Sequence, residues 1–310
     1  MIVTGRMTTL AIAAASAIVL AACGGAKTGA GSDGAAAIGK NDQANLTGAG
    51  ATFPAPLYQA WFQDYNKVAP GVKVNYQAVG SGGGIQQFTE KTIDFGATDL
   101  PMTEAEQAKA GTDAQHLPTV VGAIVITYNL DAASNALKLD GDTVAKIWLG
   151  KITKWNDAAI AALNPGVKLP AADIAVVSRS DSSGTSGVFT DYLSNVSPEW
   201  RSAIGVSKAP KWPVGQGGNG NAGVTNAVKQ TANSIGYVEL NYALTNKLPF
   251  ADMKNRAGKF VTPSTESTSA AAAGATLPAD YKVSIVNADG EGAYPIATFT
   301  YLLLRTNAAS

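Results

Sequence analysis

Cysteine and histidine are almost missing from this chain of 310 residues, which has one of each. Cys23 therefore has no disulfide partner, and one thiol with one imidazole cannot build a thiol framework or a metal cluster. The single histidine, His116, lies between Gln115 and Leu117-Pro118 and reads as a turn or surface residue, not a catalytic base. A hydrolase would need a metal cluster or an activated nucleophile, and no partner base for a serine is evident. The sequence thus predicts a non-enzyme without cofactor or metal. Charge is also scarce, at 15%, with 23 basic residues balanced by 23 acidic ones. That balance, with the lysines spread along the chain, excludes a nonspecific nucleic-acid surface. There is no heptad run, no internal repeat, and no membrane-length apolar run beyond the N-terminal segment.

Hydrophobic residues make up 46% of the chain, enough to bury the core of one large or two medium domains. At the N-terminus Arg6 precedes an apolar run from Leu10 to Leu20 that is too short for a comfortable membrane span, followed by small residues. This reads as a signal peptide over residues 1–22. Leu20-Ala21-Ala22-Cys23 resembles the lipobox of bacterial lipoproteins, which implies lipidation of Cys23 and an exported protein in the periplasm or at the cell surface, held to a membrane by that lipid. Residues 23–45 are nearly all small or polar and read as a flexible tether.

Beyond the tether, strand and helix signals alternate. A glycine-rich run leads to Thr52-Phe53-Pro54, and Leu57, Trp61 and Tyr65 follow at four-residue spacing as one helical face. The prolines at 54 and 56 suit a first helical turn. Val72, Val74 and Tyr76 alternate as a strand, Gly80 to Gly84 reads as a loop, and Ile85 and Phe88 open a short helix. Ile93 to Pro101 reads as a short buried strand delivering Asp99 at its end, and Thr103 to Glu106 as a capping box. Further signals cover Val120 to Tyr128, Thr143 to Trp148, Ile174 to Ser178, Ile235 to Leu240 and Ile296 to Leu304. The fold class is α/β, with ligands expected at the carboxyl ends of strands.

Arg179-Ser180-Asp181-Ser182-Ser183-Gly184-Thr185 is the richest stretch. It places a guanidinium, a carboxylate and several hydroxyls between a strand and a helix start, where free N–H groups and the helix dipole favour an anion. The guanidinium fork suits phosphate or carboxylate. A serine-rich turn before a helix is also an ordinary N-cap, and these residues alone leave both readings open.

Leu46 to Pro56, Val79 to Gly83, Asp94 to Asp99, Leu149 to Ile152, Ser183 to Ser186 and Ile235 to Glu239 together resemble the periplasmic phosphate-binding proteins of high-affinity phosphate ABC importers. The resemblance implies a two-lobed type II periplasmic-binding-protein fold, with two crossovers and the ligand between the lobes. Lobe I would comprise 46–121 and 246–310, and lobe II 122–245. Carried over motif by motif, the phosphate contacts would be Thr52, Phe53, Ser81, Asp99, Arg179, Asp181, Ser183, Gly184 and Thr185. The implied partners are inorganic phosphate and the transmembrane subunits of an ABC permease with their ATPase. Gly82 stands where relatives carry another serine. The stop at Ser310 reads as the loss of C-terminal helices that complete lobe I, with no ligand position beyond it.

The carboxylates account for selectivity. Monohydrogen phosphate has a proton to donate to Asp99 and sulfate has none, so sulfate would meet an unpaired acceptor. Asp181 is expected to orient Arg179 by a paired hydrogen bond. A phosphate-recognising hydrolase or a receptor for another tetrahedral oxyanion is the alternative. Gly215 to Gly220 matches a dinucleotide fingerprint, but Pro213 disrupts the strand that should precede it, so a loop is expected. Gly34 to Lys40 resembles a P-loop only until Asn41, and it lies in the tether. The five tryptophans read as packing residues, with the segment from Trp148 to Trp155, including Lys151 and Lys154, as an alternative permease-facing surface.

Overall fold

The computed structural model describes residues 42–131 and 137–306. Cys23, the signal peptide and nearly all of the expected tether lie outside these residues. The chain enters through β1 (Ala44–Gly50), α1 (Ala55–Val68), β2 (Val72–Gln77), α2 (Ser81–Thr89), β3 (Phe95–Thr98) and α3 (Glu104–Ala110). β1 pairs in parallel with β2 and β3, so α1 and α2 are the crossovers that parallel strands require. The strand already begins at Ala44, inside the stretch expected to be tether, because Ala44 and Asn45 pair with Val72 and Lys73 despite carrying no apolar pattern.

β4 (Ala114–Asn129) follows, then β5 (Lys138–Leu139), α4 (Gly141–Trp148), α5 (Ala158–Leu163), β6 (Ala175–Arg179), α6 (Gly184–Val196) and α7 (Pro198–Ala203). The remainder is β7 (Gln216–Gly218), α8 (Gly220–Gln230), β8 (Ser234–Glu239), α9 (Leu240–Thr245), β9 (Asp252–Lys254), β10 (Phe260–Val261), α10 (Thr265–Ala273) and β11 (Ala297–Arg305). One eight-stranded mixed sheet runs β2-β1-β3-β11-β4-β8-β6-β7. β4 belongs to both lobes: Ala114 to Ala123 pairs antiparallel with β11, and Ile124 to Asn129 pairs antiparallel with β8. The change of partner falls at Ala123/Ile124, within a continuous strand.

The large core lies in lobe II, where Trp148, Trp155, Phe189, Tyr192 and Tyr237 are fully buried. Met253 and Val261 join that same core, and β9 pairs with β5 and β10. Within residues 246–261, expected in lobe I, β9 and β10 thus extend from β5, which lies in the stretch expected to be lobe II. Strands of two or three residues carry too little periodicity to announce this. The Gly215 to Gly220 stretch differs from expectation as well: β7 pairs in parallel with β6, and α8 starts at Gly220. Residues 211–215 form no strand, as Pro213 indicates, and β7 lies within the glycine motif itself.

Candidate functional site

The expected contacts converge from both lobes. From lobe I, the turn after β1 supplies Thr52 and Phe53, the first residue of α2 is Ser81, and Asp99 follows β3; all four are buried. From lobe II, β6 ends at Arg179, and the turn after it leads through Asp181 and Ser183 into Gly184 and Thr185 of α6. Ser81 Oγ accepts from Asp99 N–H at 3.3 Å, and Thr185 Oγ1 donates to Asp99 Oδ2 at 3.5 Å. Gly82 N–H donates to Ser182 O at 2.9 Å, joining the two entrances directly. A Cβ at Gly184 would collide with Ser81 Oγ and Asp99 Oδ2, so glycine is what lets α6 approach this closely. Phe53 sets its ring against Gly122 of β4.

Arg179 is held through both its side chain and its backbone. Its Nε and Nη2 donate to Asp181 Oδ1 and Oδ2 at 2.7 and 2.5 Å, the expected paired bond. Its backbone N–H donates to Tyr237 Oη at 3.1 Å, and its carbonyl accepts from Trp212 Nε1 at 2.9 Å. Nη1 is buried without a hydrogen-bond partner among the described residues. Burial works against ionisation of Asp181, but the bond and charge of Arg179 and the Gly220 N–H outweigh it and hold the carboxyl below its usual range. Asp99 behaves oppositely. Burial pushes it up to about 7, against the lowering effects of Thr300, Arg179 and Thr185.

Ser183 is the N-cap of α6: its Oγ accepts from Ser186 N–H at 3.1 Å, and its own N–H donates to Lys208 O at 2.8 Å. The two readings of this turn are therefore compatible. With those groups engaged, the N–H groups left for a ligand at this helix start are those of Gly184 and Thr185.

The PBP superfamily domain matches residues 32–309 of the chain. The phosphate-binding protein PstS of Xylella fastidiosa is 48% identical over 84% of this chain and 71% of its own length. That of Pasteurella multocida is 48% identical over 85% and 76%. The chain belongs to the PstS family of phosphate-binding proteins. A crystal structure of a phosphate-binding protein from Stenotrophomonas maltophilia superposes with a TM-score of 0.64 at 22% identity, covering 86% of this chain and 80% of that one, and so shares the fold. These PstS relatives are named as binding proteins, not as enzymes.

Several residues around this PstS site were not singled out from the sequence. Asn221, in α8, donates to Thr52 Oγ1 at 2.8 Å, and Thr300, in β11, donates to Asp99 Oδ1 at 2.9 Å. Tyr242 Oη donates to Thr52 O at 2.6 Å, and Ser186 Oγ shares a 2.7 Å bond with Tyr237 Oη. No local signal marks them, since each reaches the site from a distant element. His116 is neither turn nor surface: it lies in β4, 3% exposed, and its Nε2 accepts from Met102 N–H at 3.0 Å. Burial lowers its pKa to about 4, so it stays a neutral acceptor near pH 7. Trp148, Trp155 and Trp200 are core residues and Trp61 is 44% exposed. Lys151 and Lys154 are paired with Glu199 and Asp173.

Proposed function

We propose that this protein captures inorganic phosphate outside the cytoplasm and delivers it to the transmembrane subunits and ATPase of an ABC importer. Arg179 carries the reading. A buried guanidinium nitrogen without a partner costs about 1–3 kcal/mol or more, and an oxyanion between the lobes would remove that cost. The proposed contacts are the hydroxyls of Thr52, Ser81, Ser183 and Thr185, the N–H groups of Phe53, Gly184 and Thr185, the Arg179 fork oriented by Asp181, and Asp99 as acceptor for the phosphate proton. Family membership supports the same ligand. Calorimetric titration with phosphate and with sulfate tests it: phosphate should bind and sulfate should not, and equal binding of both would overturn the assignment.

The mature protein is proposed to be lipidated at Cys23 and held at the membrane by that lipid. Among the described residues no helix is long and apolar enough to cross a membrane. Cys23→Ser should move the protein from the membrane fraction to the soluble fraction, and a wild type that is already soluble and unlipidated in its host would remove the anchor.

A further inference from the structure

Asn221 touches threonine hydroxyls from both lobes. It is the second residue of α8 and fully buried. Its side-chain nitrogen donates to Thr52 Oγ1 at 2.8 Å and to Thr185 Oγ1 at 3.3 Å, and its backbone N–H donates to Thr52 Oγ1 at 3.3 Å. The amide cannot be turned over, because Oδ1 accepts from Glu239 N–H at 2.9 Å and an NH2 group there would face another donor. The Asn221 carbonyl accepts from Thr225 Oγ1 at 2.8 Å, which further fixes its place.

A hydroxyl has one proton and two lone pairs. At Thr52 both lone pairs are taken by Asn221, so the group can only donate. At Thr185 one lone pair is taken, and the proton is aligned with Asp99 Oδ2 at 3.5 Å, a long bond that a closer oxyanion can replace. Left alone, either hydroxyl could accept as readily as donate. Apart from the protonated oxygen assigned to Asp99, monohydrogen phosphate offers acceptors only.

We infer that Asn221 is a positioning residue for anion binding, one that makes Thr52 of lobe I and Thr185 of lobe II present their protons to the ligand. The inference rests on the phosphate reading of the site. It is deeper than that reading, because Asn221 itself need not touch phosphate.

Two measurements test it by phosphate calorimetry. Asn221→Asp keeps the shape and the Glu239 bond but replaces two donors with an acceptor that draws both threonine protons away from the ligand. Asn221→Ala removes both side-chain donors, which frees Thr185 Oγ1 and leaves Thr52 Oγ1 with the backbone N–H alone. Binding should weaken about 100-fold or more in N221D and about 10-fold in N221A. An N221D that binds as well as N221A, or better, overturns the inference. The second measurement combines Asn221→Ala with Thr52→Val, and it does not depend on N221D folding. Since Asn221 acts through the Thr52 hydroxyl, the double variant should lose less than the product of the two single losses. A purely multiplicative loss in a wild type that binds phosphate overturns the role of Asn221 alone. A wild type that binds no phosphate overturns the phosphate reading and this inference together.

Discussion

Asp99 is predicted to tie protonation to selectivity. Because burial raises its pKa to about 7, the folded ligand-free protein holds this proton more tightly than the unfolded chain does. The resulting stabilisation is complete below about pH 4 and is lost as pH rises through about 7. Asp99→Asn should therefore gain stability relative to wild type at pH 8 and lose that advantage at pH 4, as read by denaturant titration. The same ionisation bears on the proposed ligand. In the proposed site, ionised Asp99 would accept the proton of monohydrogen phosphate and repel sulfate, whereas protonated Asp99 could donate to sulfate. Competition titrations should show sulfate rejection weakening from pH 8 to below 7 in the wild type, and weaker, pH-independent discrimination in D99N. An unchanged sulfate-to-phosphate ratio in D99N would remove Asp99 from this role. At Arg179, substitution by Ala should cost about 2–5 kcal/mol of phosphate binding, toward the lower end because Asp181 already neutralises part of the charge. Arg179→Lys should also lose affinity, since an ammonium cannot bond Asp181 and phosphate with one planar fork.

Among the elements, α1 departs most from its sequence pattern. Leu57, Trp61 and Tyr65 keep the expected spacing but are 38%, 44% and 39% exposed. The face turned inward is that of Tyr58 and Phe62, which meet Tyr76 of β2, while Phe62 also meets Phe95 of β3. Two adjacent apolar ladders share this helix, and only the position of the sheet selects between them. Tyr58 is 1% exposed and its hydroxyl is bonded to Thr119 Oγ1 at 2.6 Å. Tyr58→Ala should cost about 3–5 kcal/mol and Trp61→Ala about 1 kcal/mol or less, measured by urea unfolding; similar costs would contradict this packing. α2 differs at its start. Gly80, with φ of 90°, is the N-cap and Ser81 the first helical residue, so the glycine run is mostly helix instead of loop. A Cβ at Gly84 would strike Gly50 Cα, so glycine here serves helix–strand approach. By contrast α3 begins as its sequence indicates, at the Thr103–Glu106 capping box.

For the whole molecule, the contacts across the cleft predict closure on the ligand. Lys208 Nζ of lobe II pairs with Glu106 Oε2 of lobe I at 2.6 Å, with side chains 10% and 29% exposed. Burial opposes ionisation of Glu106, but its bonds from Lys208 and Thr103 outweigh that and lower its pKa. Gly82 to Ser182 and Asn221 to Thr52 bridge the same gap deeper in. Phosphate should compact the protein in small-angle scattering. Lys208→Met should speed phosphate release by about two- to fivefold, the worth of a partly exposed ion pair, as read by stopped flow. Identical scattering dimensions with and without saturating phosphate would rule out closure as the trapping step.

The α/β class and most of the candidate contacts were legible in the sequence, because that information is local. Arg179 to Thr185 contain a strand end, a polar turn and a helix start in seven consecutive residues, a pattern that suits either an anion site or an N-cap. Tertiary structure alone decided which distant groups join them. Asn221 is separated from Thr52 by 169 positions and Thr300 from Asp99 by 201. It also buried His116, turned Tyr58 inward, paired β9 with β5 and raised the pKa of Asp99. The physical reason is that backbone preference and side-chain chemistry belong to neighbouring residues, whereas burial, desolvation and hydrogen-bond partners depend on what the rest of the chain packs against them.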